Sequence, residues 1–219
     1  MSPLDFSIVF PYTGLLLKGL MWTVILTVMS SFLSLVFGIV FALAVLYAPG
    51  FVRYPVRLFI WLFMGTPLLL QLFLIYFGLA QIGIDIPAFG AGIIGLSLHF
   101  AAYNADVIRA GIVSVDHGQT EAARSIGFGR GRTLLHIVIP QAVRKTIAPI
   151  GNNMIVLLKD SSLVSVLGIA ELVNSAQHAI SDTFSPFEFY LSVAVLYYLC
   201  NLAMESGLRR VEKNIEVTR

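Results

Sequence analysis

Charge is what this chain has least of. Only 12% of its 219 residues are Asp, Glu, Lys or Arg, about half the roughly 25% usual in soluble domains. With 58% hydrophobic residues and a mean hydropathy of +0.87, there is too little polar surface to solvate a globule. The apolar stretches are continuous instead of alternating with period two, which argues against a β-barrel and for helices in lipid. A net charge of +2 gives no support to a nucleic-acid partner. The single cysteine, Cys200, excludes an intrachain disulfide and a cysteine metal cluster, and no metal site is expected. No basic residue precedes Lys18, so the positive n-region of a cleaved signal peptide is missing and the first apolar run is expected to remain as a helix. Nucleotide motifs are lacking too. The Gly-Phe-Gly-Arg-Gly run at 127–131 is followed by Arg132, so it is neither a P-loop nor G-x-G-x-x-G.

What is there is a set of long apolar runs. Five spans are predicted at about 17–46, 57–80, 89–114, 147–169 and 187–208, in one transmembrane domain over residues 1–219 with no linker. Breaks fall at Ala48-Pro49-Gly50, at Gly83 to Pro87, and at Ser181-Asp182-Thr183 through Pro186. Lys and Arg sort by connection. Arg53 and Arg57 follow span one; Arg124, Arg130, Arg132, Arg144 and Lys145 follow span three; Arg209, Arg210, Lys213 and Arg219 form the tail. These lie on alternate connections and hence on one side, against Lys18 on the other. The positive-inside rule then predicts a periplasmic N-terminus and a cytoplasmic C-terminus.

That assignment puts the segment at about 115–145 in the cytoplasm. Asp116 is placed to N-cap a short helix, with Gln119 in a capping-box relation. The helix would run through Glu121, Ala122, Ala123 and Ile126; Gly127, Gly129 and Gly131 would make a flexible break; a second short helix through Ile137 would stop at Pro140. Small alanines flanked by charge form a knob suited to a cleft in a soluble partner. The residue types alone fit equally a structured loop that is cationic because it faces the cytoplasm.

Ionisable groups in lipid cost at least about 2.5–3.5 kcal/mol at a helix centre, so each needs a reason. His99, Tyr103 and Asp106 share a helical face, and Arg109, three residues beyond Asp106, is placed to form a structural ion pair with it. In span two, Thr66-Pro67 is expected to open the helix, with Gln71 about one turn on. In span four, Asn153, Asp160 and Ser161 are candidates for a solute path, Asp160 as acceptor for an ammonium group. Interhelical hydrogen bonding explains any of these residues as well. Ser30, Ser34, Gly38 and Ala42 recur every fourth residue, a ladder that suits close helix packing.

The stretch Glu121-Ala122-Ala123, Gly127 and Ile137 to Pro140 resembles the EAA loop of bacterial ABC importer permeases. Gly65-Thr66-Pro67-Leu68-Leu69, Gln71-Leu72-Phe73, Gly118-Gln119, Pro140-Gln141-Ala142 and Leu158-Lys159-Asp160-Ser161-Ser162-Leu163 are similar to the polar amino acid permeases of the histidine, glutamine and arginine type. The likeness runs unbroken over residues 12–213. Three positions depart from it: Met64 where an arginine is usual, Ile139 for the leucine before Pro140, and Asp106 for a glutamate.

The resemblance implies an all-α, five-helix type I importer fold in the bacterial inner membrane. Its coupling residues would be Glu121, Ala122, Ala123, Gly127, Ile137 and Pro140. It implies no catalytic residue and no cofactor on this chain, ATP and Mg being bound by a partner. Expected partners are two ATPase subunits, a second permease subunit, a periplasmic amino acid binding protein and membrane lipid. Two alternatives stay open: an ABC permease for another solute, such as methionine or a metal chelate, and an ion-coupled carrier using Asp106 and Asp160.

Overall fold

The computed structural model describes residues 4–216; Arg219, counted above in the basic tail, lies outside them. A 3₁₀ stretch, Phe6–Tyr12, leads into α1, Thr13–Tyr47. At 35 residues and 1.5 Å per residue, α1 is about 52 Å long, more than the roughly 30 Å of a bilayer's hydrocarbon core. Pro49 ends the run in extended geometry and begins α2, Gly50–Gly65. Then follow α3 (Leu68–Gln81), α4 (Ala88–Val113) and the short α5 (His117–Ser125). After α6 (Arg130–Thr133) a π-turn over Leu134–Val138 leads without interruption into α7 (Ile139–Asp160). A 3₁₀ segment, Ser161–Leu167, precedes α8 (Leu172–Thr183) and α9 (Pro186–Glu216). All regular structure among the described residues is helical.

The small-residue ladder explains the central contact, that of α1 on α4. Ser30, Ser34, Gly38 and Ala42 are all buried, and a Cβ on Gly38 would stand 2.7 Å from Asn104 Cβ. The two backbones approach because α1 places nothing larger than a methyl or hydroxymethyl along this ladder. One apolar cluster joins Leu26, Leu72, Leu96, Phe100, Leu157 and Val164, across α1, α3, α4, α7 and the 3₁₀ segment. A second joins Leu16, Leu172, Ala176, Phe189 and Val193, clamping α8 between α1 and α9.

The predicted spans are modified in two places. Three segments are long and apolar enough to cross a membrane, Phe6–Tyr47, Ala88–Val113 and Pro186–Asn214, and α2 and α3 meet the same criterion only when taken together across a bend of 115°. Span two, expected at 57–80, therefore starts earlier and is sharply broken. The predicted fourth span, 147–169, is instead α7 beginning at Ile139 and a 3₁₀ continuation; Asn152, Asn153, Lys159 and Asp160 dilute its apolar character. Pro140 does not stop the helix. It lacks an N–H and would clash with the carbonyl four residues back, and the π-turn before it widens the helix there, with Ile139 N–H bonded to Leu134 O. The short helix α8 was not foreseen.

Candidate functional site

The knob at 115–145 is built by its caps. Asp116 Oδ1 accepts the Gly118 N–H at 2.6 Å, so the cap closes at the second helical residue. At the other end Gly127 takes φ +90°, with its N–H on Arg124 O (2.9 Å) and the Phe128 N–H on Ala123 O (3.0 Å). This Schellman pair satisfies the last carbonyls of α5 and requires the left-handed conformation that glycine adopts without strain. Gly129 is extended and caps α6, and Gly131 lies inside it. The glycine run is thus one defined turn, not a flexible break. Val115, Val138 and Ala142, with Ile112 and Leu134 against them, form a small core beneath. Lys145 Nζ donates to Ser114 O at 2.7 Å, locking the loop's exit to the end of α4.

On this frame Ala123 is buried, Ile137 half-buried, and Glu121, Ala122, Gly127 and Pro140 are exposed. Ile126, the C-cap residue of α5, is a large apolar side chain left 76% exposed. The outer surface thus presents Glu121, Ala122 and Ile126 on a helix held from beneath.

The break between α2 and α3 closes on itself. Thr66 and Pro67 are extended, as the residue before a proline prefers. Pro67 has no N–H for Phe63 O, and Gln71 Nε2 takes its place at 2.8 Å, also reaching Thr66 O (3.1 Å) and Thr66 Oγ1 (2.8 Å). Thr66 Oγ1 in turn donates to Leu62 O at 2.8 Å. Because the amide nitrogen faces these carbonyls, Gln71 Oε1 faces His99 Nδ1 at 3.0 Å, which requires the proton on Nδ1. Thr66 and Gln71, expected on the path, are here occupied in holding the bend. The freed backbone groups are consumed inside the chain, as a lipid surround demands.

Toward the middle of the bundle a chain of amides ties three helices. Asn153 Nδ2 of α7 donates to Asn104 Oδ1 of α4 at 2.9 Å, and Asn104 Nδ2 donates to Ser34 Oγ of α1 at 3.2 Å. Asp160 ends α7 half-buried, and among the described residues no hydrogen bond or ion pair engages its carboxylate. Ser161 is buried and gives its hydroxyl proton to Leu158 O at 2.7 Å. Arg109 Nη2 lies 2.8 Å from Asp106 Oδ1, with side chains 41% and 48% exposed. A pair so open contributes little stability if water reaches it.

Two functional candidates went unread in the sequence. Asn104 is the hub of the amide chain; its signal was a lone carboxamide in the alanine-rich run Ala101, Ala102, Ala105. Glu171 is fully buried and accepts from Asn174 N–H (2.8 Å), Val173 N–H (3.0 Å) and Tyr197 Oη (3.0 Å). It N-caps α8 and ties it to α9, while Thr23 Oγ1 of α1 accepts the Leu172 N–H at 3.1 Å. An acid just before the pattern Leu172, Ala176, Ala179 was the available cue.

The bundle thus carries polar side chains bonded between its helices and a capped helical knob on the segment between α4 and α7. Residues 34–217 match the family described as the binding-protein-dependent transport system inner membrane component, and the chain belongs to it. It is a permease subunit, with ATP hydrolysis on a separate ATPase. It is 35% identical over 221 residues to the arginine transport system permease protein ArtQ of Bacillus subtilis (strain 168), covering 97% of this chain and 98% of that protein. It is 31% identical over 215 residues to the glutamine transport system permease protein GlnP of Escherichia coli (strain K12), covering 97% and 98%. A crystal structure of an amino acid ABC transporter with histidines superposes with a TM-score of 0.92 at 38% identity, over 97% of this chain and 99% of that one. The inward-facing MetNI methionine transporter shares the fold, with a TM-score of 0.77 at 19% identity, over 94% and 98%.

Proposed function

We propose that this chain is the membrane-spanning subunit of an ATP-driven importer for a polar amino acid in the bacterial inner membrane. The observation that carries the reading is likeness over nearly the full length to permeases named for arginine and glutamine. Five spans cross the bilayer: α1, the bent α2–α3 pair, α4, α7 with its 3₁₀ continuation, and α9. The N-terminus is periplasmic and the C-terminus cytoplasmic, which the distribution of arginine supports. Two permease subunits enclose the path, two ATPase subunits bind their α5 knobs, and a periplasmic binding protein delivers the solute.

In this mechanism the permease does no chemistry. Closure of the ATPase dimer draws the knobs together through Glu121, Ala122, Ala123, Gly127, Ile137 and Pro140, and the bundle alternates its access. Asp160, with its carboxylate unengaged, receives the solute's ammonium group; Asn153 and Ser161 line the approach, and Thr66 and Gln71 act by holding the α2–α3 bend.

Cross-linking tests the docking face. Ile126→Cys is expected to cross-link to a cysteine in the ATPase cleft in the assembled transporter, and Leu4→Cys, on the proposed opposite side, is not. Cross-linking at Leu4 with none at Ile126 would reverse the orientation.

A further inference from the structure

A groove of about 530 Å³ opens between α1, α2 and α4, with Val45, Ile60, Trp61, Arg57, Asp106 and Arg109 on its walls. Its charges do not cancel. Arg109 Nε and Nη2 both bond Asp106 Oδ1, at 3.2 and 2.8 Å, so the one acid is compensated. Arg57 makes no hydrogen bond or ion pair among the described residues. One cation is left over beside an apolar wall.

Depth narrows the occupant. Arg57 is seven residues into α2 and Arg109 four from the end of α4, about 10 Å and 6 Å from those ends at 1.5 Å per residue. The groove thus sits near headgroup level on the arginine-rich side. Trp61, 71% exposed, is the amphipathic ring favoured at such an interface. No residue of α2 is buried, so the groove opens on the flank of the bundle. A zwitterionic solute would need a free acid as well as a free base, and Asp106 is already engaged. A free phosphate would gain nothing from Val45, Ile60 and Trp61.

The geometry points to a binding site for an anionic phospholipid, its phosphate on Arg57 and Arg109 and its glycerol and upper acyl chains along Trp61 and Ile60. Placing it in the cytoplasmic leaflet rests on the orientation given under the proposed function. Basic clefts between helices on that side recognise anionic headgroups, each basic residue adding about 1 kcal/mol.

The test uses the assembled transporter in detergent, with native mass spectrometry of retained lipid after exposure to equimolar phosphatidylglycerol and phosphatidylcholine. Wild type is expected to retain phosphatidylglycerol preferentially. Arg57→Gln is expected to lower that retention about fivefold, the factor equivalent to one basic residue's attraction, while Arg57→Lys preserves it. Arg209→Gln, which removes a cation already paired with Glu205 on α9, is expected to leave it unchanged. Equal retention of the two lipids, equal retention by Arg57→Gln, or displacement by millimolar inorganic phosphate would each overturn the assignment. So would a Trp61→Cys cross-link to a second copy of this chain, which would make the groove a subunit seam. Retention is read without turnover, so failure of ATP-driven uptake would count against the importer reading and not against this site.

Discussion

At the residue scale, the side chains that matter most compensate for something the backbone lacks. Gln71 supplies the donor that Pro67 cannot, and orients His99 through its other end. Gln71→Leu would strip Phe63 O and the buried His99 N–H of their partners, a cost of about 1–3 kcal/mol per group. The expected outcome is a lower thermal unfolding midpoint in detergent, and an unchanged midpoint would show that the bend does not depend on this residue. Asp160 is the converse case, a half-buried acid with no hydrogen bond to its carboxylate among the described residues. Asp160→Asn is expected to abolish uptake while the complex still assembles on a sizing column; normal uptake would remove it from the path. Asp160 and Gln71 were singled out in the sequence as polar groups within predicted spans, although the bond of Gln71 to the Phe63 carbonyl across the bend was not legible there. Asn104 and Glu171 were not singled out, since their importance lies in partners 49 positions away at Asn153 and 26 away at Tyr197.

At the scale of elements, the helices follow from apolar runs, and their ends from proline and glycine. The reading of α1 and α4 needed only hydrophobicity and a ladder of small residues. Where it erred, a local rule was answered by tertiary geometry. Pro140 stops a standard α-turn, but a π-turn lets the helix continue. The glycines at 127–131 look alike as letters, yet one has positive φ. Gly127→Ala is therefore expected to strain the Schellman turn by about 1–2 kcal/mol and to lower coupled ATPase activity in the reconstituted transporter. Gly131→Ala, inside α6 with open space for a Cβ and no positive φ, should be nearly silent. Equal effects of the two would mean that the loop works by flexibility and not by its fixed shape. The helix α8 escaped notice because 12 residues with a buried acidic cap resemble a polar connector.

For the whole molecule, one subunit leaves much apolar surface outward, as expected of a chain surrounded by lipid and by further subunits. Membership of the binding-protein-dependent transport family makes it the membrane component of such a system, and under the proposed function the α5 knob is where force would enter. Glu121 is exposed and enters no ion pair among the described residues, so Glu121→Ala should leave the bundle folded. The decisive measurement is uptake of a radiolabelled polar amino acid into proteoliposomes, with the liganded binding protein on the periplasmic side. The account predicts uptake that requires both the ATPase subunits and ATP, and that falls to background in Glu121→Ala with complex assembly intact. Uptake by the permease alone, driven by an ion gradient without ATPase or ATP, would contradict it.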